Sequence, residues 1–341
     1  MPGREHPKGL AYPEPLFLCP ALFSALPENP MMPTRRRFLL NAPIAALAPA
    51  WLVDAANAAG ATQPPAMHRR AIPSTGETLP VIGLGTAGTF DVSPGSSSEL
   101  APLQDVVRQL LGSAGKNAVI DTAPSYGDSE AVTGELVARL KARDGVFLAT
   151  KIGATGRDAG LRQVRNSQSA LRTRKLDLIQ VHNLIDTSTQ LALLRELKKQ
   201  GVTRYIGITH YNASAHDELT ALVEREKPDF VQIDLSVTSR GAEKRLLPAC
   251  QAHGVAVLIN RPFQDGSLFR QVRGKPLPDW AAEIDCTSWA QLFLKFVVGH
   301  PAVTAAIPAT SKPRNAQDNL MAGFGRLPDA AMRERIAGLF A

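Results

Sequence analysis

The sequence predicts an α/β protein folded as a (β/α)8 barrel, with an N-terminal hairpin plugging one end. Three observations point there. Between residues 81 and 307, eight apolar runs of four or five residues alternate with longer stretches of helical period. Several of these runs, such as Ala118-Val119-Ile120, are apolar throughout, the pattern of a strand buried on both faces. No Gly-x-Gly-x-x-Gly follows the first run, where Gly83-Leu84-Gly85 has the wrong continuation, which weakens the competing arrangement, an open doubly wound sheet.

In chain order, residues 59–68 read as a linker, and 69–341 as the barrel. Arg70-Ala71-Ile72, the turn Pro73-Ser74-Thr75-Gly76 and Thr78-Leu79-Pro80 form the hairpin. Strands are expected at 81–84, 118–121, 146–150, 178–181, 205–209, 230–234, 255–259 and 303–307. Helices are expected at 100–111, 129–141, 159–171, 190–200, 215–226, 243–253, 287–298, 314–321 and 329–340, with a longer loop over 262–285.

Bulk properties set outer bounds. A chain of 341 residues with 44% hydrophobic and 20% charged content holds one large barrel or two ordinary domains. The formal charge is +7, but Lys and Arg are scattered among acids with no aromatic-rich basic block, so a solvated surface is favoured over a nucleic-acid site. The three cysteines, Cys19, Cys250 and Cys286, have no zinc-ligand spacing. Cys250 sits in an apolar helical run and reads as a buried free thiol, with a Cys250–Cys286 bridge as the alternative.

Residues 1–58 read as a leader. A proline-rich start is followed by Met31-Met32, an alternative start that would leave residues 1–30 untranslated. Then come Thr34-Arg35-Arg36-Arg37-Phe38-Leu39-Leu40, an Ala-rich apolar stretch, and small residues at Ala56-Asn57-Ala58. That order resembles a twin-arginine export signal, which implies the translocation machinery as a partner and a periplasmic location, cytoplasmic where the signal goes unused. The apolar stretch contains Pro43 and Pro49 and is shorter than the roughly 20 residues of a spanning helix, so no stable membrane span is expected after cleavage.

The chemistry starts at Val119 to Gly127, V-I-D-T-A-P-S-Y-G, where a strand delivers Asp121 and, five residues on, a loop carries Tyr126. The next two strands end near Lys151 and His182. In a parallel barrel these four converge on the face where catalytic residues sit. A phenol titrates near ~10 and needs a neighbouring cation to give and regain a proton at neutral pH; Lys151 supplies one and Asp121 holds it. His182 adds a second donor to a substrate carbonyl. There is no His-x-His pair for a metal, and His68, His216, His253 and His300 read as surface or helix-end residues.

The motifs P-V-I-G-L-G-T (80–86), D-T-A-P-S-Y-G (121–127), A-T-K (149–151), D-L-I-Q-V-H-N (177–183), I-G-I-T-H-Y (206–211), F-V-Q-I-D (230–234) and I-P-A-T-S-K-P-R-N-A-Q-D-N (307–319) resemble those of the aldo-keto reductase family. The resemblance implies a barrel that uses NADPH, with NADH as the alternative, to reduce a small-molecule carbonyl. Tyr126 is then the general acid, Lys151 and Asp121 its tuning pair, and His182 the group orienting the carbonyl. It further implies nicotinamide contacts by Thr209, His210 and Gln232, with Thr86, Asn260 and Arg261 beside them. Adenosine-phosphate contacts are implied for Thr310, Lys312, Arg314, Asn315, Asp318 and Asn319. Three departures stand out: Thr209-His210 replaces a usual Ser-Asn, Asn260 replaces a stacking tyrosine, and Asn315 replaces a phosphate-gripping arginine, with Lys312 and Arg314 as nearby substitutes. The competing readings are a non-catalytic or weakly catalytic NADP(H)-binding sensor or partner protein and a metal-dependent hydrolase. Ala87, with Phe90, Phe263 and Phe269 as apolar walls, implies an open pocket.

Overall fold

The computed structural model describes residues 66–340. The leader and most of the expected linker lie outside them. Met67, expected in that linker, is instead buried, packed beside Gly323, while the His68 amide donates to the Gly323 carbonyl at 2.8 Å.

Strands β1 (Arg69–Ala71) and β2 (Thr78–Pro80) pair antiparallel, Arg70 opposite Leu79. The turn between them closes on Gly76 at φ 75°, a conformation glycine adopts without steric cost. Eight parallel strands follow: β3 (Leu84–Gly85), β4 (Ala118–Asp121), β5 (Val146–Ile152), β6 (Leu176–His182), β7 (Thr203–Thr209), β8 (Phe230–Asp234), β9 (Ala256–Asn260) and β10 (Ala305–Ala306). Each pairs with the next in chain order, and parallel bridges Ile82–Ala306 and Gly85–Ala309 bring the last strand back to the first. The sequence-expected barrel is therefore the observed one.

Helices α1 (Ser97–Ala114), α2 (Ser129–Arg139), α3 (Arg157–Ala170), α4 (Thr187–Lys199), α5 (His216–Glu226), α6 (Leu246–His253), α7 (Ser267–Gln271), α8 (Trp289–Val298), α9 (Pro313–Met321) and α10 (Ala330–Ala337) lie between and after the strands. Local signals set their ends. Ser96, Ser288 and Asp329 accept from backbone amides at the starts of α1, α8 and α10, satisfying donors that lack an intrahelical partner. The closing strands are shorter than expected, and neighbouring chain segments approach closely there. A Cβ at Gly83 would stand 2.8 Å from Val119 Cβ, and one at Gly85 2.7 Å from the Ile307 carbonyl oxygen. The long loop carries α7 and a 3-10 turn, Asp279–Ile284. Among the described residues no helix is long and apolar enough to cross a membrane.

The barrel floor is apolar. Val119, Phe147, Leu178, Tyr205, Phe230, Ala256 and Ala305 cluster with Ile72 and Leu79 of the hairpin, which therefore plugs the end where the strands begin. Burying Ile72 and Leu79 contributes about 1.5–3 kcal/mol each. Tyr205 fixes the plug from inside: its hydroxyl donates to Glu77 at 2.6 Å, and Arg204 bridges Glu77 and Asp177. The end where the strands finish is left to the polar residues.

Candidate active site

Above the apolar floor the strand ends become polar, and the pairing register decides which side chains meet. Asp121 closes β4, Lys151 is the penultimate residue of β5, and His182 ends β6. Lys151 Nζ donates to Asp121 Oδ2 at 2.6 Å and to the Thr122 carbonyl at 2.8 Å, and stands 5.0 Å from the centre of the Tyr126 ring. The Tyr126 and His182 rings meet edge to face, 5.9 Å apart at 82°. All four line one cavity of about 700 Å³, so the structure brings together the four residues expected to carry the chemistry.

Burial sets the electrostatics. Lys151 and Asp121 are each 2% exposed. Burial acts to lower the Lys151 pKa, but the Asp121 charge and Tyr126 outweigh it, so the ammonium is held above its ordinary value and stays charged. Burial pushes the Tyr126 phenol above 10, Lys151 pulls it back and Asp121 pushes it up again; the net direction is upward. The lowering expected from Lys151 is thus present but smaller than the cost of desolvating a phenolate. Burial, then Lys151, then His210 drive His182 down to about 4, so its ring is neutral at pH 7 and donates from one nitrogen. Ser125 Oγ approaches His182 Nδ1 at 3.5 Å, the long end of a hydrogen bond.

An amide pair completes the layer: Gln232, expected at the nicotinamide, and Gln180, which the sequence reading did not assign. Gln232 Nε2 donates to Asp121 Oδ2 at 3.3 Å, and Gln180 Nε2 donates to Gln232 Oε1 at 2.7 Å while lying 3.5 Å from Asp121 Oδ1. Gln180 is fully buried and stands opposite Lys151 in the β5–β6 register. The available signal was its spacing, two residues before His182 and so on the same strand face.

The expected cofactor residues divide into three groups. Thr86, Thr209, Gln232, Asn260 and Arg261 line the cavity. His210 does not: its Nδ1 accepts from the Asn212 amide at 3.0 Å and its ring stacks on Tyr211. The Arg261 guanidinium is paired with Asp265 and donates to the Tyr211 carbonyl. At the far end, Lys312 caps the N-terminus of α9 without a side-chain hydrogen bond, and Pro313 occupies its first turn. Lys312, Arg314 and Asn315 are exposed there, with no ion pair among the described residues, which suits a helix N-terminus that receives phosphate. Thr310 and Asn319 are buried in a crevice with Gly83 and Leu320. The Asp318 carboxylate accepts from Ser288 Oγ at 2.8 Å and Gln291 Nε2 at 2.6 Å and so ties α9 to α8.

Other side chains are placed as follows. Ala87, Phe263 and Phe269 line the cavity, whereas Phe90 is fully buried in the core. Cys250 and Cys286 are free and buried. His216, expected at the surface or a helix end, opens α5, where it is buried and pairs with Asp234 at 2.9 Å.

A family model described as the aldo/keto reductase family matches residues 81–335. Methylglyoxal reductase YeaE of Escherichia coli (strain K12) is 29% identical over 262 residues, 74% of this chain and 89% of that protein. Methylglyoxal reductase DkgB of Salmonella typhimurium is 27% identical over 273 residues, 77% of this chain and 93% of its own. Among solved structures, an aldo/keto reductase from Klebsiella pneumoniae in complex with NADP and acetate aligns with a TM-score of 0.62 at 27% identity, over 77% of this chain and 93% of that one. The family match takes in every strand of the barrel together with Asp121, Tyr126, Lys151 and His182, and the chain belongs to the aldo/keto reductase family.

Proposed function

We propose that this protein is an NADPH-dependent carbonyl reductase in which Tyr126 is the general acid. The observation that carries the reading is the single cavity in which Tyr126 meets a charged Lys151 on one side and a neutral His182 on the other. The names of the relatives, two methylglyoxal reductases, support a small aldehyde or ketone as substrate. The donor set fits a dinucleotide. Thr209 and Gln232 offer a hydroxyl and an amide at the cavity floor, and the buried Asn260 Oδ1 has no partner there. Lys312 and Arg314 supply cations at a helix N-terminus for a 2′-phosphate.

When bound, NADPH supplies the hydride that reaches the carbonyl carbon. The chain's own residues manage the oxygen. Neutral His182 donates a hydrogen bond to it, which orients the carbonyl and favours the negative charge that grows there. Tyr126 releases its phenolic proton to the same oxygen, giving the alcohol. The phenolate left behind faces the Lys151 ammonium, which Asp121 and the Thr122 carbonyl hold in place. A phenol whose pKa lies above 10 stays protonated until that oxygen becomes basic, which suits an acid in the reductive direction.

The leader supports export by the twin-arginine route, with the mature chain starting near Ala59 and residing in the periplasm. Fluorescence titration with NADPH, followed by turnover of a general aldehyde, tests the reductase reading. Binding with turnover is the expected result; binding without turnover would favour a nucleotide sensor, and neither would remove both.

A further inference from the structure

Resting on the reductase reading above, we infer that Gln180 is a positioning residue that links the nicotinamide-facing amide Gln232 to the Asp121–Lys151 pair. A residue whose only task was to fill the barrel at this level would be aliphatic, as Leu178 and Leu258 are one layer down. Gln180 instead brings an amide to a fully buried position and leaves its own Oε1 without a partner. Its Nε2 serves two acceptors, Gln232 Oε1 at 2.7 Å and Asp121 Oδ1 at 3.5 Å. The neighbouring strand makes room for it: a Cβ at Gly207 would stand 2.9 Å from Gln180 Cγ.

The consequence follows from counting donors on Asp121. Its Oδ2 accepts from Lys151 and Gln232, whereas its Oδ1 has Gln180 as the neighbouring side-chain donor. When Gln232 turns its amide toward a bound carboxamide, the 3.3 Å contact to Asp121 is given up. Gln180, released by the same movement from Gln232 Oε1, is then the amide left to hold the carboxylate. Burial pushes the Asp121 pKa up, and hydrogen bonds to a carboxylate favour its charged form against that push, so the Gln180 amide helps keep Asp121 a partner for the Lys151 ammonium that restrains the Tyr126 pKa. Gln180 thereby lets the site bind its cofactor without loosening its acid.

Gln180→Leu, Gln232→Leu and the double variant test this in the intact protein. NADPH affinity is read by fluorescence titration, and the pH dependence of kcat with a general aldehyde in the same preparations. Gln180→Leu is expected to move the alkaline limb of kcat upward by about half a pH unit or more, because Tyr126 loses part of its restraint. The KM for the aldehyde should stay within about twofold, since the amide touches no substrate atom. In the Gln232→Leu background, Gln180→Leu should weaken NADPH no further, the signature of two residues acting through one link. Gln180→Met, of similar length, should move the limb upward as well by removing the same amide without adding charge, and it reads the link if the leucine variant folds poorly. Unmoved limbs in both Gln180 variants, or losses of NADPH affinity that multiply independently, would overturn the proposal while leaving the reductase reading intact. A wild-type protein that neither binds NADPH nor turns over an aldehyde would overturn both.

Discussion

Lys151 Nζ stands 5.0 Å from the centre of the Tyr126 ring, while its hydrogen bonds go to Asp121 and the Thr122 carbonyl behind it. The cation is thus anchored by groups that do not react and presented to the one that does. Lys151→Met should cut turnover and let the Tyr126 pKa rise further, moving the alkaline limb of the rate profile upward. It should also destabilise the protein by about 3–5 kcal/mol, because Asp121 is left buried and unpaired. Adding Asp121→Asn should recover most of that stability and none of the turnover. Chemical denaturation and pH–rate profiles on the two variants check both parts, and a single variant with an unchanged profile would show that Lys151 does not act on Tyr126.

The phosphate end makes a separate claim. Lys312 and Arg314 are exposed and without ion pairs among the described residues, at the start of α9. Neutralising both should erase the preference for NADPH over NADH, since charge-assisted hydrogen bonds to the 2′-phosphate would be gone. Comparing the affinities for the two nucleotides measures it. A preference that survives would point to another cation.

Stability should depend on pH through two histidines. Burial is the first cause that holds His182 and His300 down to about 4, against an ordinary value of 6.5. The fold keeps both neutral, so between those values the unfolded chain binds protons more readily. Their contribution is complete above pH 6.5 and is lost as pH falls to about 4. The melting temperature should therefore drop on going from about pH 7 to about pH 5, and less so in His300→Gln. A flat melting temperature over that range would contradict the assignment.

How far the sequence reading reached is clearest strand by strand. The bounds of β4 and β8 coincide with those expected, because each is a mainly apolar run ending at a carboxylate, interrupted in β8 by Gln232 alone, and burial on both faces leaves no other register. The strands β3 and β10 came out shorter than the apolar runs at 81–84 and 303–307, since an apolar run marks burial and not the backbone pairing that bounds a strand. Residue types at strand ends, and for Tyr126 in the loop after β4, sufficed to place Asp121, Tyr126, Lys151 and His182 around one cavity. Side-chain partners did not show: Asp318 accepts from Ser288 and Gln291, about thirty residues away, and Arg261 pairs with Asp265 four residues on. Gln180 was passed over because one amide inside an apolar strand looks like core until Gln232 is placed beside it.

The export proposal is tested without reference to the site. Replacing Arg35 and Arg36 with lysine should strand the protein, uncleaved, in the cytoplasm, while the wild-type chain is recovered outside the inner membrane with its N-terminus near Ala59. Fractionation with N-terminal sequencing decides it. Wild-type protein found in the cytoplasm with residues 34–58 attached would remove the export claim and leave the chemistry untouched.

The central claim is that Tyr126 gives the proton, and Tyr126→Phe tests it most directly. The variant removes one hydroxyl from a ring whose packing against His182 and Lys151 is otherwise retained. NADPH affinity, read by fluorescence titration, should stay within about twofold, while kcat for a general aldehyde should fall at least ~100-fold, the scale of a lost general acid. Turnover within about threefold of the wild-type value, with NADPH bound normally, would contradict the account.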